Sequence, residues 1–586
     1  MYDESCSMIR KNSFVFALYL ALAVVLTWPL ALSGWDHVIN AGDPLFYAWN
    51  LMHNFRSIGS GLGNILDTNI YYPTPNTLAL SDTLLAQTIL TYPIIWLTNN
   101  PIFAINIYTL LTFPIAGLGM YLLVTSLVKN EWAAWLSGAL FAYSMSRFGQ
   151  ISHLPALSSQ WLPYYFYGLY WFLREGKFRN ITAAMISFLL LLSSTVYLGV
   201  FAVVVSIVTV GAFLISWVRN HQMSIAWARF KMSLLPLGFI TIASLILMYP
   251  YIRLKAEHPE ITRSLEESSA RAAYQQDYFA VTKTSILSPI LKTDEGERTL
   301  YPTITLLLLA GLGMTQWKKK TYRFSIMLSF LITLTGLILS FGPERPFSIG
   351  SFSTGYITLP YAYLYKIFPL LQILRVPARF SIVFLLGLCM LAGFGVASIR
   401  NPKGKTKFQM ATLGFICLIF FLEIWQLPLS LVKVPTYTNV PLIYQWLQQQ
   451  QNVQAIIELP IGNIETGIIP IDKQVTLRYE DLTGDSPLAT ETYRVYFAGF
   501  HNKKTVNGYS GYVAQSFHDA VDATASFPSS SSIEYLRSQG VSHIIVHPRQ
   551  LPPEKRGQFI IDPNHPELQV RFSTLDGDIV YEIRHQ

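Results

Sequence analysis

Four aspartates, Asp36, Asp43, Asp67 and Asp82, fall in a stretch between Gly34 and Thr83 whose basic residue is Arg56. A carboxylate there can take a proton from an attacking hydroxyl, ligate a hard cation, or cap a helix. Asp43 directly precedes Pro44, a strong helix-start signal, so it serves as a cap, a general base, or both. Asp36 and Asp82 are the alternative acids. Asp36, His37, Asp67 and Asp82 are also possible ligands for a divalent cation, although their spacing matches no metal motif. Arg375 and Arg379 lie four apart and share a side if helical. A guanidinium fork suits two phosphate oxygens; the competing readings are headgroup contact and an ion pair with Glu344. Arg147 and His153 flank a short polar segment and could bind phosphate or a sugar, or serve as structural turn residues. Tyr509 and Tyr512, in Asn507-Gly508-Tyr509-Ser510-Gly511-Tyr512, could stack on an apolar ligand face or belong to an ordinary turn. Glu423 sits inside an apolar run, where a carboxylate is either functional or close enough to the interface to reach water.

The elements that hold these residues follow from composition. The chain has 586 residues, 52% hydrophobic and 13% charged, against roughly 25% charged in an average soluble domain. A helix crossing a hydrocarbon core needs about 20 apolar residues. Candidate spans are 13–33, 102–128, 132–146, 158–173, 181–197, 198–218, 232–250, 301–317, 324–341, 380–399 and 408–428, about eleven by that criterion. The expectation is a polytopic α-helical membrane protein of the plasma membrane. Its three cysteines, Cys6, Cys389 and Cys417, suggest neither a disulfide framework nor a Cys-based metal site. The glycines at 59, 61 and 63 lack the strand and lysine of a nucleotide loop.

The net charge of +8 reads by position rather than as a nucleic-acid footprint. With the N-terminus cytoplasmic, the basic groups around Lys129, Arg174 to Arg179, Arg219 to Lys231, Lys318 to Arg323 and Arg400 to Lys407 all fall inside. The acidic loop 34–83 then lies outside, as does everything after the last span. From residue 431 the composition becomes that of a soluble α/β domain, with strand-like runs at 455–461 and 543–547, a helix at 531–539 closed by Gly540, and a hairpin over 568–584 turning at Asp576-Gly577-Asp578. The expected division is therefore 1–430, carrying the long first loop, and an extracytoplasmic 431–586.

A first span followed by a long outer loop with Gly42-Asp43-Pro44-Leu45-Phe46-Tyr47 resembles the opening of GT-C glycosyltransferases. Ser81-Asp82, the segment from Arg147 through His153 to Trp161-Leu162-Pro163, Leu374-Arg375-Val376-Pro377-Ala378-Arg379-Phe380 and the 507–512 run are similar to bacterial YfhO-like members of that group. The resemblance implies an inverting membrane enzyme that moves a sugar from a polyprenyl-phosphate donor to a cell-envelope acceptor at the outer face. It implies Asp43 as base, Arg147, His153, Arg375 and Arg379 on the donor phosphate, Tyr509 and Tyr512 on sugar or acceptor, and a divalent cation as a possible cofactor. Two other classes compete. A transporter of lipid-linked saccharides would bind the same cargo without chemistry, and an envelope-assembly scaffold would use its tail for docking. The polar residues gather at one face and no pseudo-symmetric halves are evident, which favours the enzyme.

Overall fold

The computed structural model describes residues 2–63, 65–257, 263–294, 296–349, 352–399, 406–436, 439–462, 487–550, 556–575 and 577–584. Arg400, Lys403 and Lys405 of the last basic loop, and Asp576 of the expected hairpin turn, lie outside them. The chain is mostly helical and divides into two compact units, one of residues 1–29, 109–249 and 259–429, the other of residues 30–108, 250–258 and 430–586.

The first unit is built from apolar helices. Among the described residues of the whole chain, six helices are long and apolar enough to cross a membrane: Ser7–Leu26, Pro101–Val128, Val196–Arg219, Met223–Glu257, Lys320–Ser340 and Pro377–Ile399. This is a multi-pass membrane protein. The helix Ser381–Ile399 is buried along nearly its whole length and packs between Ile304–Met314 and Lys320–Ser340. Small residues permit the close approach, since lipid tails supply no hydrophobic force between helices and backbone contact must supply the attraction. A Cβ on Gly395 would stand 2.0 Å from the Leu309 carbonyl oxygen, and one on Gly313 1.9 Å from that of Leu391. On the other flank Gly387 faces Ser329 and Thr333. Because backbone cannot yield as a side chain can, Gly395→Val should cost at least about 1–3 kcal/mol, read as a lowered unfolding temperature in detergent; an unchanged midpoint would refute this packing.

Local chemistry moves several expected boundaries. The first helix ends at Leu26 rather than near Ser33, and the uncharged run expected to divide near Leu198 breaks at Thr195, whose extended backbone lets its hydroxyl cap the helix Val196–Arg219 at Tyr197 N. The span expected from Tyr301 begins as a helix at Ile304. Glu423 does not reach for the interface. It is buried and accepts hydrogen bonds from Ile304 N at 2.6 Å, Thr305 N at 3.1 Å and the Tyr301 hydroxyl at 2.8 Å. An anion thus sits on the positive end of that helix and satisfies its orphan donors.

The second unit carries a five-stranded sheet. Its order is Leu568–Ser573, Ile579–Ile583, His543–Val546, Ala455–Leu459, Lys504–Thr505. Ala455–Leu459 is parallel to both its neighbours, with Ile457 opposite Ile544, while the C-terminal hairpin adds antiparallel strands. The helices Leu442–Gln449, Pro487–His501, Gln515–Thr524 and Ser530–Ser538 accompany it. Gly540 closes the last of these at φ +77°, a conformation L side chains rarely adopt.

Residues of the long loop belong to this same unit. The helix Asp43–Gly59 packs against Pro487–His501 and Leu85–Thr98. Asn69 donates to the carbonyls of Ala498 at 2.8 Å and Lys503 at 3.2 Å, and Tyr71 N donates to Asn507 O at 3.1 Å. Gly508 is required here, since a Cβ would fall 2.4 Å from the Tyr71 ring.

Candidate functional site

Asp43 is the first residue of its helix, with Pro44 behind it; the N-cap is Gly42, and no side-chain cap bond is made there. The carboxylate is half-buried and accepts hydrogen bonds from the Tyr47 hydroxyl at 3.2 Å and the Tyr509 hydroxyl at 2.5 Å. Tyr47 reaches it because it lies one turn further along the helix. Tyr509 is positioned by Gly508 and by an edge-on contact with Phe46, ring centroids 5.5 Å apart. The helix is anchored from below by buried Asn50 and Asn54, which donate to the carbonyls of Asp82 at 3.1 Å and Thr83 at 2.8 Å. The side chain is therefore held at a helix N-terminus on a rigid element, as a base requires.

The neighbouring acids have other partners. Asp36 is 2.6 Å from His37 Nδ1, and His37 lies in a two-residue strand paired with Val432–Lys433. Asp67 accepts from Asn76 N at 3.3 Å. Asp82 is half-buried beside Ser81 and Thr83, both of which bond to the Tyr251 hydroxyl. Tyr512 takes part through its backbone, donating to Leu80 O at 3.0 Å. Among the described residues no group of three or more His, Cys, Asp or Glu is disposed to hold a metal ion.

The basic candidates belong to the first unit. Arg147 is buried and donates to the carbonyls of Ala142, Leu157 and Thr112 and to the Ser159 hydroxyl, with its guanidinium 5.4 Å from the Phe113 ring centroid. It ties the turn after Glu131–Ala142 to the segment 157–159. Arg375 and Arg379 do not share a helical face, because Val376 is non-helical (φ −125°, ψ 86°) and Pro377 opens a short 3-10 turn. Nor is Glu344 the partner found for either. Arg375 pairs with Glu267 at 2.9 Å, and Arg379 pairs with Glu297 at 2.6 Å while lying 4.7 Å over the Tyr197 ring. Arg271 stands 3.8 Å from the other Glu297 oxygen. Burial favours the neutral form of Glu297, but Arg379, His153 and Arg271 outweigh it and hold the carboxyl below its ordinary range. Arg147, Arg379 and Glu297 line one small cavity with Gln150, Tyr197 and Ser381.

Sequence reasoning missed a charged cluster in the second unit. Arg494 bonds Glu491 at 2.6 Å, Pro460 O at 2.8 Å and Gln550 at 2.8 Å. His547 bridges Glu458 at 2.9 Å and Asp578 at 3.0 Å. Glu458 was a visible anomaly, a carboxylate in the otherwise apolar run Ala455–Leu459. Burial lowers the affinity of His547 for its second proton, but the two carboxylates prevail and push its pKa up to about 9 from 6.5. A pKa raised by folding stabilises fully below the unfolded value and is lost as pH rises through the folded one. Unfolding midpoints should accordingly fall between pH 6.5 and about 9, and His547→Gln should flatten that limb. An unchanged slope in the variant would remove His547 from the account.

No family model matches the chain. No curated protein matches it either. Among solved structures, ArnT from Cupriavidus metallidurans, determined bound to undecaprenyl phosphate, is similar over 97% of this chain and 97% of its own, with a TM-score of 0.39 and 8% identity. At that score no residue role is carried across.

Proposed function

We propose that the protein is a GT-C-type membrane glycosyltransferase that uses a polyprenyl-phosphate sugar and delivers the sugar to an acceptor of the cell envelope at the outer face. The observation that carries the reading is the Asp43 carboxylate, fixed on a helix N-terminus between two phenols in a unit built from the outer loop and the tail. In the reaction the acceptor oxygen bonds to the anomeric carbon as the bond from that carbon to the phosphate oxygen breaks. The proton of the acceptor goes to Asp43, and the electron pair leaves on the polyprenyl phosphate. Arg147 and Arg379, which line one cavity of the first unit, are the guanidiniums assigned to such a leaving group, with His153 acting on the Glu297 carboxylate that pairs with Arg379. The Tyr509 hydroxyl orients the base, and Tyr512 offers a face to the acceptor sugar. The N-terminus is assigned to the cytoplasm and residues 431–586 to the outside, from the distribution of Lys and Arg.

Purified protein in lipid nanodiscs, given labelled polyprenyl-phosphate sugars and envelope acceptors, should form new glycosidic bonds. A transporter would instead move labelled lipid across a vesicle bilayer and form none. A scaffold would do neither and would retain partners on its tail.

A further inference from the structure

The cavity lined by Ser146, Arg147, Gln150, Tyr197, Glu297 and Arg379 contains an acid that the proposed chemistry does not use. As it stands the space accommodates about one water molecule. Its lining carries two guanidiniums against one carboxylate, that of Glu297, and Arg271 adds a third cation on the far side of that carboxylate. Glu297 is thus an anion already seated where positive charge is in excess, 2.6 Å from Arg379. A second observation points to a ligand. Gln150 is 8% exposed, lines the same cavity, and its amide oxygen has no hydrogen-bond donor within reach. A buried acceptor left unsatisfied costs about 1–3 kcal/mol, which a ligand hydroxyl would remove.

We propose that Glu297 is an internal counter-ion, which leaves Arg379 when a phosphate bearing a hydroxylated group binds, the phosphate taking the place of the carboxylate and a ligand hydroxyl donating to Gln150. The inference rests on the donor-phosphate role given above to Arg379. Glu297 supplies the half-buried Arg379 with a counter-charge in the empty state, and removing one partner of such an ion pair is costly. With Glu297 in place, the site remains neutralised until another anion competes for the guanidinium. A phosphodiester is such an anion: it carries one charge, as the carboxylate does, over two free oxygens, and the planar fork accepts it as readily. Gln150 and Glu297 are then specificity and positioning residues, acting on binding rather than on bond making.

The test uses the full chain in nanodiscs, with three probes: inorganic phosphate, decaprenyl phosphate, and decaprenyl-phosphate glucose. Glu297→Gln should lower the unfolding midpoint of the empty protein and tighten decaprenyl phosphate about tenfold, equivalent to about 1.4 kcal/mol. Gln150→Leu should weaken decaprenyl-phosphate glucose several-fold and leave decaprenyl phosphate unchanged. Unchanged or weaker lipid-phosphate binding by a folded Glu297→Gln protein overturns the counter-ion. Equal weakening of both lipids by Gln150→Leu overturns the hydroxyl contact and keeps the proposal testable should the Glu297 variant not fold. If Glu297→Gln tightens inorganic phosphate while no variant binds either lipid, the counter-ion stands and the lipid-donor reading fails.

Discussion

Asp43→Asn should lower the turnover of the proposed sugar transfer by about 10² to 10⁴, while donor affinity and unfolding temperature stay close to those of the unaltered chain. Asn keeps the shape of the side chain: its amide oxygen can accept from one of the Tyr47 and Tyr509 hydroxyls and its amide NH2 can donate to the oxygen of the other, so both contacts can be kept. It cannot take up the acceptor proton. A loss confined to turnover therefore separates a base from a structural residue. Tyr509→Phe removes one orienting bond and leaves the base, so its effect should be smaller. If Asp43→Asn transferred sugar normally, the base would have to be sought at Asp82 or Asp36. If it failed to fold, Asp43 would be a structural link between the loop and the 507–512 segment.

The second large effect concerns stability. Arg494→Met should destabilise the second unit by about 3–5 kcal/mol, because it leaves the buried Glu491 carboxylate without its cation while Glu458 keeps His547 as its cation. Arg494 is 2% exposed and meets Glu491 at 2.6 Å and Glu458 at 3.8 Å. Burial raises the Glu491 pKa, and Arg494 opposes this; without the guanidinium, Glu491 takes up a proton on folding. Adding Glu491→Leu to the variant should restore part of the loss, since a matched apolar pair does not carry the desolvation cost of a single buried ion. Hydrogen exchange at Ala455–Leu459 would report it. Unaltered protection there in Arg494→Met would mean the cluster contributes little.

Local pattern exposed much of the architecture. Asp-Pro at 43–44 announces the helix that runs to Gly59, the apolar stretch after Leu84 becomes the helix Leu85–Thr98, and Gly540 ends Ser530–Ser538 through its positive φ. These signals work because capping and turn chemistry depend on neighbours in sequence. Pairing across the chain does not. Tyr509 lies 466 positions from the carboxylate it binds, and Arg379 lies 82 from Glu297. Two arginines four apart suggested one helical face, yet the non-helical Val376 and the turn at Pro377 send them to different acids. Glu423 was legible as an anomaly in an apolar run, but its role as a cap on Ile304–Met314 depends on a helix more than a hundred residues away.

The most direct measurement counts new glycosidic bonds against polyprenyl phosphate released, in parallel, for the unaltered chain and Asp43→Asn in nanodiscs supplied with a panel of polyprenyl-phosphate sugars. The account predicts equal numbers of bonds made and lipid phosphates released by the unaltered chain, with inversion at the anomeric carbon, and neither product above background in the variant. Transfer by the variant at the unaltered rate, or lipid movement across the bilayer with no bond formed by either protein, would contradict it.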